Sequence, residues 1–201
     1  MDAAPTQHEE LIGRFRADLE KLEPSEIIRK HITTGTPVAI AEEAYFDLRR
    51  IVAKEFDLHP SAVVLIGSCR TGFSISPKKR YRPARPDSDF DVALVSVDRF
   101  DDYWDDVFAY ARSDSAWKCS KEYKHFVRML FNGWIDPRGL PNVNRFERAA
   151  QWSAFFDELM QSRQFGVRRV SARLYRTWAR LEAYQENAVR QCIANLGESH
   201  A

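Results

Sequence analysis

Val63-Val64-Leu65-Ile66-Gly67-Ser68 and, further on, Ser88-Asp89-Phe90-Asp91-Val92-Ala93-Leu94-Val95 are the stretches on which the fold turns. Each apolar run is short and rich in β-branched residues, which marks a buried strand rather than a helix. Side chains alternate along a strand, so Asp89 and Asp91 share a face. Two carboxylates on one face repel unless a cation lies between them. A hard divalent ion with oxygen ligands, Mg²⁺ or in its place Mn²⁺, meets that need. Gly67-Ser68 closes the first run with a turn that offers backbone N–H groups and a hydroxyl and no bulky side chain, which suits the close approach of a phosphate.

Upstream, Thr6-Gln7-His8-Glu9 has the form of a capping box, with Leu11, Phe15, Leu19 and Leu22 following as one helical stripe. Pro24 restarts a short helix to about His31, and Ala41, Tyr45, Leu48 and Val52 mark an amphipathic helix ending near Phe56. Downstream, helices are predicted over Asp101 to Arg112, Lys121 to Asn132, Phe146 to Gln161 and Trp178 to Leu196. Val167 to Tyr175 alternates, with Val170, Ala172 and Leu174 on one face and Arg169, Ser171 and Arg173 on the other, and reads as a half-solvated strand. The fold class expected is α+β: a small mixed sheet covered by helices, not a doubly wound parallel sheet. Residues 1–201 are read as one domain, with a helical part over 1–57, the Gly-Ser and Asp-x-Asp core over 58–100, and a helical part with one late strand over 101–201.

The composition narrows the setting. The formal net charge is +1, so any argument for nucleic acid must be local. Three scattered cysteines, Cys69, Cys119 and Cys192, suggest a reducing cytoplasm rather than a disulfide framework. The N-terminal residues lack the regions of a signal peptide, and no apolar run approaches the ~20 residues that span a bilayer, so no membrane role is expected. The local charge is in Pro77-Lys78-Lys79-Arg80-Tyr81-Arg82-Pro83-Ala84-Arg85-Pro86, which reads either as a solvated surface loop or as a strap tracking the phosphates of a nucleic acid through Lys78, Lys79, Arg80 and Arg82, with Tyr81 able to stack on a base.

Gly67-Ser68-Cys69-Arg70-Thr71-Gly72 followed by Ser88-Asp89-Phe90-Asp91-Val92 resembles the nucleotidyltransferase superfamily that includes DNA polymerase beta, and within it the branch of oligoadenylate synthetases and bacterial antiphage signal synthases. The resemblance implies a nucleotidyltransferase-type sheet and transfer of a nucleoside monophosphate from an NTP or dNTP to a hydroxyl. It implies an acceptor that is a nucleotide or oligonucleotide, and a setting in antiviral defence. Asp89 and Asp91 would be the catalytic, metal-holding carboxylates, with a second ion about 3.5–4 Å from the first lowering the pKa of the acceptor hydroxyl. Gly67 and Ser68 would hold the triphosphate. Arg70 is either a triphosphate contact or part of a structural salt bridge, and Lys121 and Lys124 either reach the triphosphate or face water.

The chain departs from the pattern in two places. Ser68 and Asp89 are 21 positions apart, longer than in many members, and the excess is the basic loop. A third carboxylate on a later strand is usual in such families; here Asp136 is the candidate, in what reads as a loop set by Pro137, while the late strand carries Arg and Ser but no acid. Two alternatives therefore stay open: an antitoxin-type transferase that nucleotidylates a partner protein, and a catalytically degenerate fold that binds nucleotide, RNA or a partner.

Overall fold

Thr6 starts the first helix as its spacing from Glu9 predicts. The Thr6 hydroxyl accepts from the Glu9 N–H at 3.3 Å, and the Glu9 carboxylate accepts from the Thr6 N–H at 2.7 Å. In the computed structural model, which describes residues 6–86, 88–112, 116–141, 146–166 and 169–198, this helix is α1 (Gln7–Leu19). Then come α2 (Pro24–Ile28), a π-helical turn (Arg29–Thr33) and α3 (Glu42–Glu55). Asp87, between the basic loop and Asp89, and Val167, the predicted first residue of the late strand, lie outside the described residues.

The two deciding stretches form β1 (Val63–Ile66) and β2 (Phe90–Val95), joined through a short helix α4 (Ser68–Thr71) and the basic loop. Beyond them lie α5 (Val97–Arg112), α6 (Lys121–Phe131), β3 (Trp134–Ile135), α7 (Glu147–Ser162), β4 (Val170–Tyr175) and α8 (Trp178–Glu198). β1 runs antiparallel to β2, β2 parallel to β4, and β4 antiparallel to β3, giving a four-stranded mixed sheet in the order β1-β2-β4-β3. The parallel β2–β4 pair needs a long crossover, which α5, α6 and α7 supply.

Both faces of the sheet are covered, which explains the unbroken apolar runs of β1 and β2. On one face Val63, Leu65, Phe90, Val92, Leu94, Ala172 and Leu174 pack with α3, α5, α6 and α7. There Trp152 of α7 lies with its ring centroid 5.0 Å from those of both Phe56 and Phe156. On the other face Val64, Ile66, Ala93, Val95 and Tyr175 pack with α1, α2 and α8. Asp91, Ser171 and Arg173 belong by alternation to this second face, at the end of the sheet that α8 does not fully cover.

Three local expectations change. β4 is not half-solvated: helices lie on both sides, and Arg173 is partly buried. Residues 134–135, expected to belong to the loop set by Pro137, pair as β3 because Trp134 and Ile135 meet Tyr175 and Leu174. The basic loop is folded rather than merely solvated. Phe73 bridges to Pro83, Ser74 N–H donates to the Arg82 carbonyl at 2.9 Å, and Ala84 N–H donates to the Gly72 carbonyl at 2.8 Å.

Candidate functional site

The antiparallel register sets Ile66 opposite Asp91, so the chain leaving β1 must turn directly over that carboxylate. Gly67 makes the turn at φ +71°, ψ −158°, a region essentially reserved for glycine, and a Cβ there would stand 2.6 Å from Asp91 Oδ2. Glycine is thus required twice, by its backbone and by its neighbour. The Arg70 N–H donates to the Gly67 carbonyl at 3.1 Å and the Gly72 N–H to that of Ser68 at 2.9 Å, which fixes the turn.

Asp91 accepts from the Ser171 hydroxyl at 2.5 Å on Oδ1. Burial pushes its carboxyl above the ordinary range and Asp89 adds to the effect, while Ser171, Arg173 and Lys79 act against it. Asp89 is exposed and lies one residue before β2 begins.

These groups wall a cleft of ≈ 670 Å³. Of the predicted site residues, the cleft brings together Gly67, Ser68, Asp89, Asp91, Lys79 and Arg82. It also collects Arg85, Arg173, Tyr184 and Gln185, which sequence reasoning did not assign to the site. Arg173 sits with its guanidinium carbon 5.8 Å from the Trp134 ring centroid and 5.6 Å from that of Tyr184. Burial pulls its pKa down, but Tyr184, Tyr175, Asp91 and Asp136 together outweigh that and leave it raised. A signal for Gln185 was present in the chain: it interrupts the buried stripe Leu181, Val189 and Cys192 of α8 with a polar side chain. For Arg173 the signal was its place beside Ser171 on the polar face of β4; its neighbour across the sheet could not be read.

Other predicted residues go elsewhere. Arg70 is buried and turns away from the cleft: its guanidinium donates to the carbonyls of His31 at 3.2 Å and Gly35 at 2.6 Å, so it is neither a triphosphate contact nor a salt bridge. The helical direction of α4 places it on the side facing the π-helical turn. Asp136 does not line the cleft; its Oδ1 accepts from the Arg138 N–H at 3.1 Å and caps the turn Pro137–Gly139. Lys78 is exposed outside the cleft. Arg80 packs inward, where its charge lies close enough to Cys192 to act on that thiol. Tyr81 is no free stacking surface: its φ is +62° and its ring packs edge-on against Phe73 at 5.9 Å. Tyr184, not Tyr81, is the tyrosine that lines the cleft. Lys121 and Lys124 are exposed on α6 and do not line it. Trp152 is buried, whereas Trp178 is 40 % exposed.

Among the described residues no three or more His, Cys, Asp or Glu side chains form a metal-holding group, which leaves Asp89 and Asp91 as the carboxylates of the cleft. A smaller cavity of ≈ 220 Å³ lies on the opposite face of the sheet. Its cations are already paired: Arg99 with Asp57 and Asp102, and Arg148 with Asp106. No helix among the described residues is long and apolar enough to cross a membrane.

Comparison of the chain with protein-family models, with curated proteins and with solved structures finds no match.

Proposed function

We propose that the chain is a metal-dependent nucleotidyltransferase that moves a nucleoside monophosphate from an NTP or dNTP to a hydroxyl of a nucleotide or oligonucleotide. The observation that carries this reading is the meeting of Gly67, Ser68, Asp89 and Asp91 on one cleft wall, with Lys79 and Arg82 beside them. Phosphoryl transfer asks mainly for positioning and charge neutralisation, and this wall offers both. The acceptor oxygen bonds to the α-phosphorus, the bond from that phosphorus to the bridging oxygen of the β-phosphate breaks, pyrophosphate leaves, and the hydroxyl proton passes to water.

The donor chemistry fits a divalent ion: Asp89 raises the cost of charge on Asp91, and a hard cation shared by the two relieves it. Asp89 and Asp91 would hold Mg²⁺ or Mn²⁺, which when bound neutralises triphosphate charge. Lys79 and Arg82 suit the backbone of an oligonucleotide acceptor, and Tyr184 is the aromatic side chain that lines the same cleft. An antiviral signal is the product class that the motif resemblance suggests.

A second reading, a degenerate fold that binds nucleotide without transferring it, is favoured by one observation: Ser171, not an acid, stands opposite Asp91 on β4, and Arg173 follows on the same face. One assay separates the two. The purified protein is incubated with all NTPs and dNTPs, with Mg²⁺ or Mn²⁺, with and without a short oligonucleotide, beside the Asp89→Ala/Asp91→Ala double variant. Pyrophosphate release by wild type alone supports transfer. Metal-dependent nucleotide binding without release under any of these conditions supports the second reading and rejects the first.

A further inference from the structure

We infer that the cleft holds a polyphosphate chain without any metal ion, on Arg173 and Gln185 with Lys79 and Arg82 at the rim, so that nucleotide binding precedes and does not require the divalent cation. The inference rests on the reading of the cleft as a nucleotide site and specifies how the phosphates are held there.

Arg173 is a cation held in place before any ligand arrives. Its guanidinium lies against the Trp134 and Tyr184 rings, and among the described residues no carboxylate comes within ion-pair distance of it. Aromatic faces orient a guanidinium but do not satisfy its five N–H donors. A partly buried guanidinium with donors to spare is suited to bidentate capture of phosphate oxygens. Gln185 is the second, independent sign. It is 8 % exposed, it lines the same cleft, and its amide has no hydrogen-bond partner among the described residues. Its amide is accessible from the cleft rather than sealed in the core, so a ligand oxygen can accept from its N–H without displacing an internal partner. Lys79 is exposed on the loop yet near enough to Asp91 to act on its carboxyl, so it reaches over the same space. Against Asp89 and Asp91, the four cations Lys79, Arg82, Arg85 and Arg173 leave the cleft net positive. A metal-free triphosphate is therefore attracted rather than repelled.

Isothermal titration of the full chain with tripolyphosphate and with ATP, each in EDTA and again in Mg²⁺, tests this. Expected is saturable binding of both probes in EDTA. Arg173→Gln weakens it roughly 10- to 100-fold, the range for loss of charge-assisted hydrogen bonds. Gln185→Ala weakens it several-fold and Lys79→Gln does likewise; Lys79, being exposed, reports on binding even if Arg173→Gln does not fold. An absence of binding in EDTA, or binding that none of the folded variants changes, overturns the inference. The two proposals fail separately. Polyphosphate binding in EDTA with no pyrophosphate release removes transfer and leaves this site standing. Turnover with Mg²⁺ but no binding in EDTA does the reverse.

Discussion

Asp91 shows how a single side chain is made expensive by its surroundings. Its carboxyl is raised mainly by burial, so the folded chain holds the ionised form less well than the unfolded chain does. The folded state binds more protons than the unfolded one between the ordinary value of 3.8 and the raised value, so stability falls as the pH rises through that window. Asp91→Asn keeps an oxygen to accept from Ser171 and carries no charge. The variant is expected to melt above wild type at neutral pH, by roughly 2–4 °C for each kcal/mol relieved. The gap should close below the ordinary carboxylate value, and melting curves across pH 3–8 check both limbs. Adding Mg²⁺ should raise the wild-type melting temperature and leave the variant unmoved. Gly67→Ala meets a different obstacle, since it combines a glycine-only backbone with the 2.6 Å approach to Asp91. It is expected to cost about 1–3 kcal/mol in chemical denaturation. It should also abolish pyrophosphate release even where the protein remains folded.

Arg70 acts between elements rather than in the cleft. It ties α4 to the segment after α2 through the carbonyls of His31 and Gly35. Arg70→Met leaves both carbonyls without that donor and is expected to lower stability by roughly 2–4 kcal/mol. Nucleotide affinity of the folded protein should stay within about twofold of wild type; a loss beyond tenfold would return Arg70 to the triphosphate. Helices were legible because their signals are local: the Thr6–Glu9 box and the stripes of α3 and α8 bring out their own boundaries. β3 was not, because two residues carry no period, and they become a strand only when β4 is beside them.

The net charge of +1 means that nucleic-acid binding, if it occurs, depends on the local field of the cleft. Binding of a labelled single strand, followed by anisotropy over a range of salt, should weaken linearly on logarithmic axes. The slope should fall by about 0.7 for each cation removed in Lys79→Gln and Arg82→Gln. Lys78→Gln, outside the cleft, should leave the slope nearly unchanged. Equal effects from all three would assign the loop to diffuse attraction instead of a built path.

Strand identity, the shared face of Asp89 and Asp91 and the mixed α+β class were all present in the order of residues, since each follows from periodicity over a few positions. Partnership across the sheet was not. Ser171 opposite Asp91, Arg173 between two aromatic rings and Gln185 facing the cleft depend on the register of β2 against β4 and on how α8 lies over the sheet. Those are contacts between residues roughly 80 positions apart, and nothing in a local pattern encodes them.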